Sequence, residues 1–262
     1  AGATTAPVPD WRPSLTLMQA DAEGFAASAV DPLRRQRSMR LSNRYMEMID
    51  GSYRNVLTAG LRLPVDDHWA LRIALPFVMT DQFREEAGSG DLRLGADWIT
   101  RNDDDTGWLF GLDLVFDTST EPTAGRGQQM FEPHVTWVAW RGERLLLAPS
   151  YRHVFGTGGG DSGRLAGNDE YTVHEGILSL MLGMTLGRDG KYWTAAIPKL
   201  TWDIEGETQF FSLAMELGRM VSDESYLYLR PSVGTFSEDY GILGADYPYD
   251  WSLELGWRLT FR

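Results

Sequence analysis

Cysteine is absent from this chain and lysine nearly so: of 24 basic residues only Lys191 and Lys199 are lysine. The first absence removes disulfides, thiolate metal sites and thiol nucleophiles. No apolar run approaches the roughly 20 residues that a membrane-crossing helix needs, which excludes a helical membrane protein. No basic segment followed by an apolar stretch opens the sequence, and Ala1-Gly2-Ala3 leads to the expectation of a mature chain whose export signal has been removed. Surplus positive charge is missing as well. With 37 acidic residues the net charge is −13, which argues against a nucleic-acid partner. The arginine excess suits forked contacts with carboxylates in a confined space, although a codon bias toward arginine accounts for it equally well.

What the sequence does have is alternation. Trp251, Leu253, Leu255, Trp257, Leu259 and Phe261 alternate with Ser252, Glu254, Gly256, Arg258, Thr260 and Arg262. Side chains on a strand point to opposite faces with period two, so one face here is apolar and aromatic and the other carries charge. The pattern recurs. Trp69, Leu71, Ile73, Leu75, Phe77 and Met79 oppose Ala70, Arg72, Ala74, Pro76 and Val78, and Trp108, Phe110, Leu112, Leu114 and Phe116 oppose Leu109, Gly111, Asp113, Val115 and Asp117. Leu178 to Leu186 and Phe211 to Leu217 repeat it, and none of these apolar faces contains a charge.

Turn signals divide the chain into about twelve strands of roughly 9–14 residues, the length a tilted strand uses to cross a bilayer. They fall near 38–49, 53–65, 68–80, 89–101, 106–118, 129–141, 143–156, 171–187, 190–203, 208–221, 224–236 and 250–262. Alternate connections are short and polar, such as Asp66-Asp67-His68 and Arg188-Asp189-Gly190, whereas 81–88, 119–128, 157–170 and 237–249 are longer. The expected fold is therefore all-β: a transmembrane, antiparallel up-and-down β-barrel over residues 36–262, with both chain ends and the short turns on the periplasmic side. A soluble β-sandwich also alternates. It has no reason, however, to bracket its apolar faces with aromatic rings, as Trp69 with Phe77, Trp108 with Phe116, Tyr192 with Trp202 and Trp251 with Phe261 do here. Such a barrel belongs in the outer membrane of a Gram-negative bacterium, among lipid and lipopolysaccharide. Residues 1–35, rich in proline and alanine, read either as a flexible arm or as a segment folded into the lumen with Trp11 or Leu17 as anchor.

If the apolar faces meet lipid, the opposite faces line the lumen. Alternation puts there Arg62, Arg72, Arg93, Asp97, Asp113, Glu132, His134, Arg152, Glu175, Lys199, Glu216, Tyr226, Tyr228, Arg230, Glu254 and Arg258, with Asp203, Trp193, Phe210, Ile177 and Met181 beside them. A barrel of twelve strands has a slim lumen, so these charges either pair into a rigid core or flank a narrow passage. The apolar and aromatic members of that lining suit a small hydrophobic, aromatic or amphipathic solute.

Gly88-Ser89-Gly90-Asp91-Leu92-Arg93-Leu94-Gly95 resembles a strand-entry motif of the meta-pathway phenol-degradation-like family of outer-membrane channels. The preceding hairpin, Gly60 to Phe77, and the closing Leu253 to Phe261 are similar to the same family's pattern, from which this chain departs by Arg262 after the terminal aromatic. The resemblance implies a monomeric channel of twelve strands for hydrophobic or aromatic small molecules; separately, no cofactor is expected from the sequence.

Enzymatic readings have weaker support. Gly160-Asp161-Ser162-Gly163 looks like a serine-protease nucleophile motif but has no accompanying histidine motif. His174-Glu175 and Glu132-Pro133-His134 are candidate acid/base pairs, and the Gly156 to Gly160 run lacks the Lys-Ser/Thr ending of a phosphate loop. An outer-membrane lipid enzyme or a plugged structural barrel stays as the alternative. Asp81, Glu85 and Glu86, and separately Glu238, Asp239, Asp246 and Asp250, supply hard oxygen ligands for a divalent cation, or simply solvated loops.

Overall fold

The computed structural model describes residues 37–82, 84–102, 106–141, 145–157, 172–186, 192–204, 208–222, 224–236 and 249–261. Among them lie thirteen antiparallel strands: β1 (Arg37–Met48), β2 (Tyr53–Pro64), β3 (Trp69–Thr80), β4 (Glu86–Ser89), β5 (Leu92–Arg101), β6 (Thr106–Phe116), β7 (Met130–Arg141), β8 (Leu145–Gly156), β9 (His174–Leu186), β10 (Tyr192–Asp203), β11 (Thr208–Ser222), β12 (Ser225–Phe236) and β13 (Tyr249–Phe261). Neighbours in sequence pair except for β4 and β5, which both pair with β3, and β1 pairs with both β2 and β13, so the sheet closes on itself. Because β4 pairs only with β3, twelve strands form the ring. A closed barrel leaves no unpaired edge, which is what a strand must achieve where water is absent.

The strand expected over 89–101 is β5, and the connection expected over 81–88 ends in an additional short strand, β4. β5 pairs with Trp69 to Ala74 of β3, and β4 with Phe77 to Thr80. Pro76 lies between these stretches and has no N–H with which to continue the ladder. Its carbonyl accepts from the Gly90 amide at 2.9 Å, and the chain steps sideways at Gly90-Asp91 before resuming.

The exterior is inverted relative to a soluble protein. Leu71, Leu75, Leu217 and Leu255 are 47, 50, 53 and 58% exposed, whereas the charged residues between them point inward and are buried. A contiguous apolar surface of this kind is stable only against lipid. Aromatic rings border it on both sides. Toward the rim of short turns Trp69 stands opposite Trp98 and Trp108 opposite Trp137. Toward the rim of long connections Tyr45 packs on Trp251 at 5.4 Å, Tyr151 on Trp202 at 6.0 Å and Phe131 on Phe155 at 6.4 Å. Amphipathic rings at two levels fit two headgroup layers.

Candidate functional site

All sixteen residues that alternation turns inward are buried inside the barrel, and most fall into two ion-paired walls. The first is built on β2, β3 and β5 to β8. Arg72 Nη2 lies 3.0 Å from Asp97 Oδ1 and 2.8 Å from Asp113 Oδ1, and Arg62 adds a contact of 3.3 Å to Asp97. Arg93 donates from both terminal nitrogens to Glu132, at 2.7 and 3.2 Å, and Arg152 meets the same carboxylate at 2.8 Å. His134 sits in the middle, its Nε2 3.6 Å from Asp97. Small residues make room for this crowd: a Cβ on Gly111 would stand 2.1 Å from His134 Nε2, and one on Gly95 2.1 Å from Asp113 Oδ1. Asp97 and Asp113 are fully shielded from solvent. Buried carboxylates are tolerated only with such partners, so the wall is a fixed scaffold of paired charge.

The second wall runs over β1 and β10 to β13. Arg230 donates to Glu216 Oε2 at 3.0 and 2.5 Å and reaches Glu254 at 3.4 Å. Glu254 also accepts from Arg40 and from the Tyr228 hydroxyl, both at 2.5 Å, while the Trp193 indole donates to Glu216 at 2.8 Å. Arg258 covers the ring of Tyr226 at 5.6 Å. Glu175, on β9, meets Arg126 at 3.7 Å. Lys199 lies on the inner face of β10 opposite Ser212 of β11.

The inner face is also apolar at two levels. Toward the turn rim, Val138, Leu146, Met181, Trp193, Ile197, Tyr226 and Tyr228 form one cluster on the inner faces of β7 to β10 and β12. Gly218 and Gly256 lie directly against Trp193 and Tyr228, where a Cβ would come within 1.8 and 2.0 Å of the rings. Toward the loop rim, Val115, Met130, Val154, Val173 and Ile177 form another.

The long connection expected over 119–128 folds inward, and Thr123 to Gln128 are buried. Its anchors come from the barrel wall. Arg54 donates to the Thr123 and Ala124 carbonyls at 2.6 and 3.3 Å. The Asp91 carboxylate accepts from the amides of Thr118, Ser119 and Arg126 at 3.3, 3.2 and 2.8 Å, and Gln128 accepts from the Val173 amide at 3.2 Å. Gly125 is required by close approach, since a Cβ there would lie 2.4 Å from Asp91 Oδ1. Beside this loop a cavity of about 140 Å³ opens, bordered by β1, β2, β3 and the loop itself. Arg54, Asp91 and Arg126 were not singled out as site residues; the shared parity of Arg54 with Arg62 on β2, and of Asp91 with Arg93, was the available signal, whereas Arg126 lies in the loop. Arg40 and Arg44 lie on the face of β1 opposite Met39, Leu41 and Tyr45, and that alternation was the available signal.

The candidate acid/base pairs separate. His174 bonds His153 on the outer surface at 2.9 Å between Nε2 atoms, while its neighbour Glu175 points inward. Glu132 and His134 share the inner face, but the Glu132 carboxylate is held by two arginines and His134 Nδ1 lies 3.3 Å from the Glu132 carbonyl. The Gly160 to Gly163 motif, positions 158–160 of the glycine run and residues 1–35 lie outside the described residues. Of the acidic loop groups, Asp81 accepts from the Tyr53 amide at 2.6 Å, and Glu86 bonds Arg84 and Thr123. Hydrogen bonding from Thr123, reinforced by Arg84, holds the Glu86 carboxyl below the ordinary carboxylate range. Glu238, Asp239 and Asp246 are not among the described residues.

No family model matches the chain, and no curated protein matches it. Solved structures do. The COG4313 outer membrane channel from Pseudomonas putida F1 superposes with a TM-score of 0.70 at 13% identity over 86% of this chain and 95% of that one. The NanC porin gives 0.59 at 11% identity over 86% and 100%. The CymD monoaromatic hydrocarbon channel gives 0.52 at 9% over 88% and 90%. At such identities the likeness is one of fold: this chain has the closed, twelve-stranded barrel of outer-membrane channels.

Proposed function

We propose that this protein is a monomeric, non-enzymatic outer-membrane channel through which small hydrophobic, aromatic or amphipathic solutes pass down their gradients, as its resemblance to the meta-pathway phenol-degradation-like family implies. The observation that carries the reading is the inside-out distribution of polarity: a lipid-matched exterior around an interior holding both ion-paired walls and apolar clusters. A general aqueous pore has no use for Trp193, Tyr226, Tyr228 and Met181 clustered on its inner face. A pathway for molecules with an apolar body does, because these side chains narrow the path against bulky sugars while offering dispersion contacts to a flat ring. The polar walls then stabilise the ring edges and any attached hydroxyl or carboxylate.

Proteoliposome swelling tests this. Vesicles containing the protein should swell in an iso-osmotic small aromatic carboxylate faster than empty vesicles, and should not discriminate from empty vesicles in a disaccharide. Equal swelling of protein-containing and empty vesicles in every solute would leave the plugged structural barrel as the correct reading.

A further inference from the structure

The cavity beside the inward loop has two chemically distinct sides. Its volume, about 140 Å³, matches one aromatic ring, since an engineered cavity of about 150 Å³ takes up benzene. Val56, Ala74, Val78, Val115 and Met130 make one side apolar. The other side is arginine-rich, with Arg44, Arg54, Arg93 and Arg126. Two carboxylates also reach the cavity but are already engaged: Asp91 by three loop amides, Glu254 by Arg40, Arg230 and Tyr228.

Arg44 differs from the other three. Arg93 is held by Glu132, Arg126 by Glu175, and Arg54 by the loop carbonyls. Arg44 is half-buried; its Nε donates to the Ser252 hydroxyl at 3.2 Å, and its guanidinium lies 4.8 Å from the centre of the Tyr249 ring. Neither partner is charged, and among the described residues no carboxylate lies within ion-pair distance of it. Its cross-strand neighbour Glu254 lies beyond ion-pair distance and is already engaged by Arg40, Arg230 and Tyr228, so the half-buried guanidinium can take up a further anion, and its planar fork fits a carboxylate with two parallel hydrogen bonds.

From this juxtaposition we infer that the cavity is a binding site for a small aromatic monocarboxylate, its ring against Val56, Val78 and Met130 and its carboxylate on Arg44. The inference deepens the channel reading above by placing its solute. The site lies on the loop-rim side, where an incoming solute arrives first, and the inward loop forms part of its lining.

Benzoate is the probe, with benzyl alcohol supplying the ring without the charge and acetate the charge without the ring. Binding is read by calorimetry on the detergent-solubilised full chain, independently of transport. Benzoate should bind, and each control should bind at least tenfold more weakly. A charge-assisted hydrogen bond is lost in Arg44→Gln, so benzoate affinity should fall about tenfold or more while benzyl alcohol affinity stays unchanged. Val78→Phe, which fills the ring side, should abolish binding of both. Heat-modifiable migration of the variants on gels reports that each has folded, and the wild-type probe series stands even if Val78→Phe does not fold. Equal binding of benzoate to parent and Arg44→Gln, or equal binding of benzoate and benzyl alcohol to the parent, overturns the inference. Benzoate binding without vesicle swelling would leave the site standing and remove the channel, whereas swelling that is indifferent to Arg44 would do the reverse.

Discussion

Arg72→Met removes the cation shared by Asp97 and Asp113 while keeping most of the side-chain volume. Both carboxylates are shielded from solvent, and Arg72 Nη2 is within 3.0 and 2.8 Å of them. Breaking a buried pair from one side typically costs about 3–5 kcal/mol, because the abandoned charge cannot recover its hydration. Here each carboxylate retains weaker company, Arg62 at 3.3 Å from Asp97 and Arg93 at 3.6 Å from Asp113. That retention places the expected loss near the lower end, about 3 kcal/mol. If water filled this part of the lumen, the same change would resemble loss of a surface pair and cost about 1 kcal/mol at most. Reversible guanidinium unfolding in lipid vesicles, followed by tryptophan fluorescence, distinguishes these outcomes. A shift corresponding to about 1 kcal/mol or less, with an unchanged slope, would refute the dry, paired wall.

Three further outcomes are expected. Leu255→Arg, which puts charge on a side chain 58% exposed to lipid, should cost about 2–4 kcal/mol in the same unfolding assay if it lies near the midplane; assembly and heat resistance equal to the parent would contradict the facing assignment. Arg54→Ala removes the hydrogen bonds to the Thr123 and Ala124 carbonyls, so amide exchange over 123–128 should accelerate relative to the strands, and unchanged protection would show that the loop is held otherwise. The Glu86 carboxyl has a depressed pKa in the folded chain, so its contribution to loop order is present above the ordinary carboxylate value of about 4.5 and is lost as pH falls through the depressed one. Exchange of the hairpin around Glu86 should therefore rise on acidification in the parent and lose that dependence in Glu86→Gln.

The barrel was legible in the sequence because period two is a local property. Trp251 to Phe261 and Trp69 to Met79 each declare their faces without reference to the rest of the chain, and the sixteen residues read as inward lie on the inner surface of the structure. Which charge meets which was not legible, since Arg72 finds Asp113 across two intervening ladders and Arg40 finds Glu254 across the closure of the barrel. The break between β4 and β5 likewise depends on tertiary contacts. Pro76 interrupts the neighbouring ladder, and Asp91 is drawn to loop amides some 30 residues away. The inward turn of 117–129 left no periodic trace; only its glycines, Gly125 and Gly127, hinted at close approach or positive φ, and Gly127 adopts φ 63°.

Planar-bilayer recording from the purified full chain tests the central claim most directly. The parent should show discrete, small conductance steps. Arg230→Ala, which leaves Glu216 and Glu254 with one counter-ion fewer, should shift the reversal potential in a salt gradient toward cation selectivity. A parent that gives no conductance, together with a variant that gives none either, would contradict the channel account.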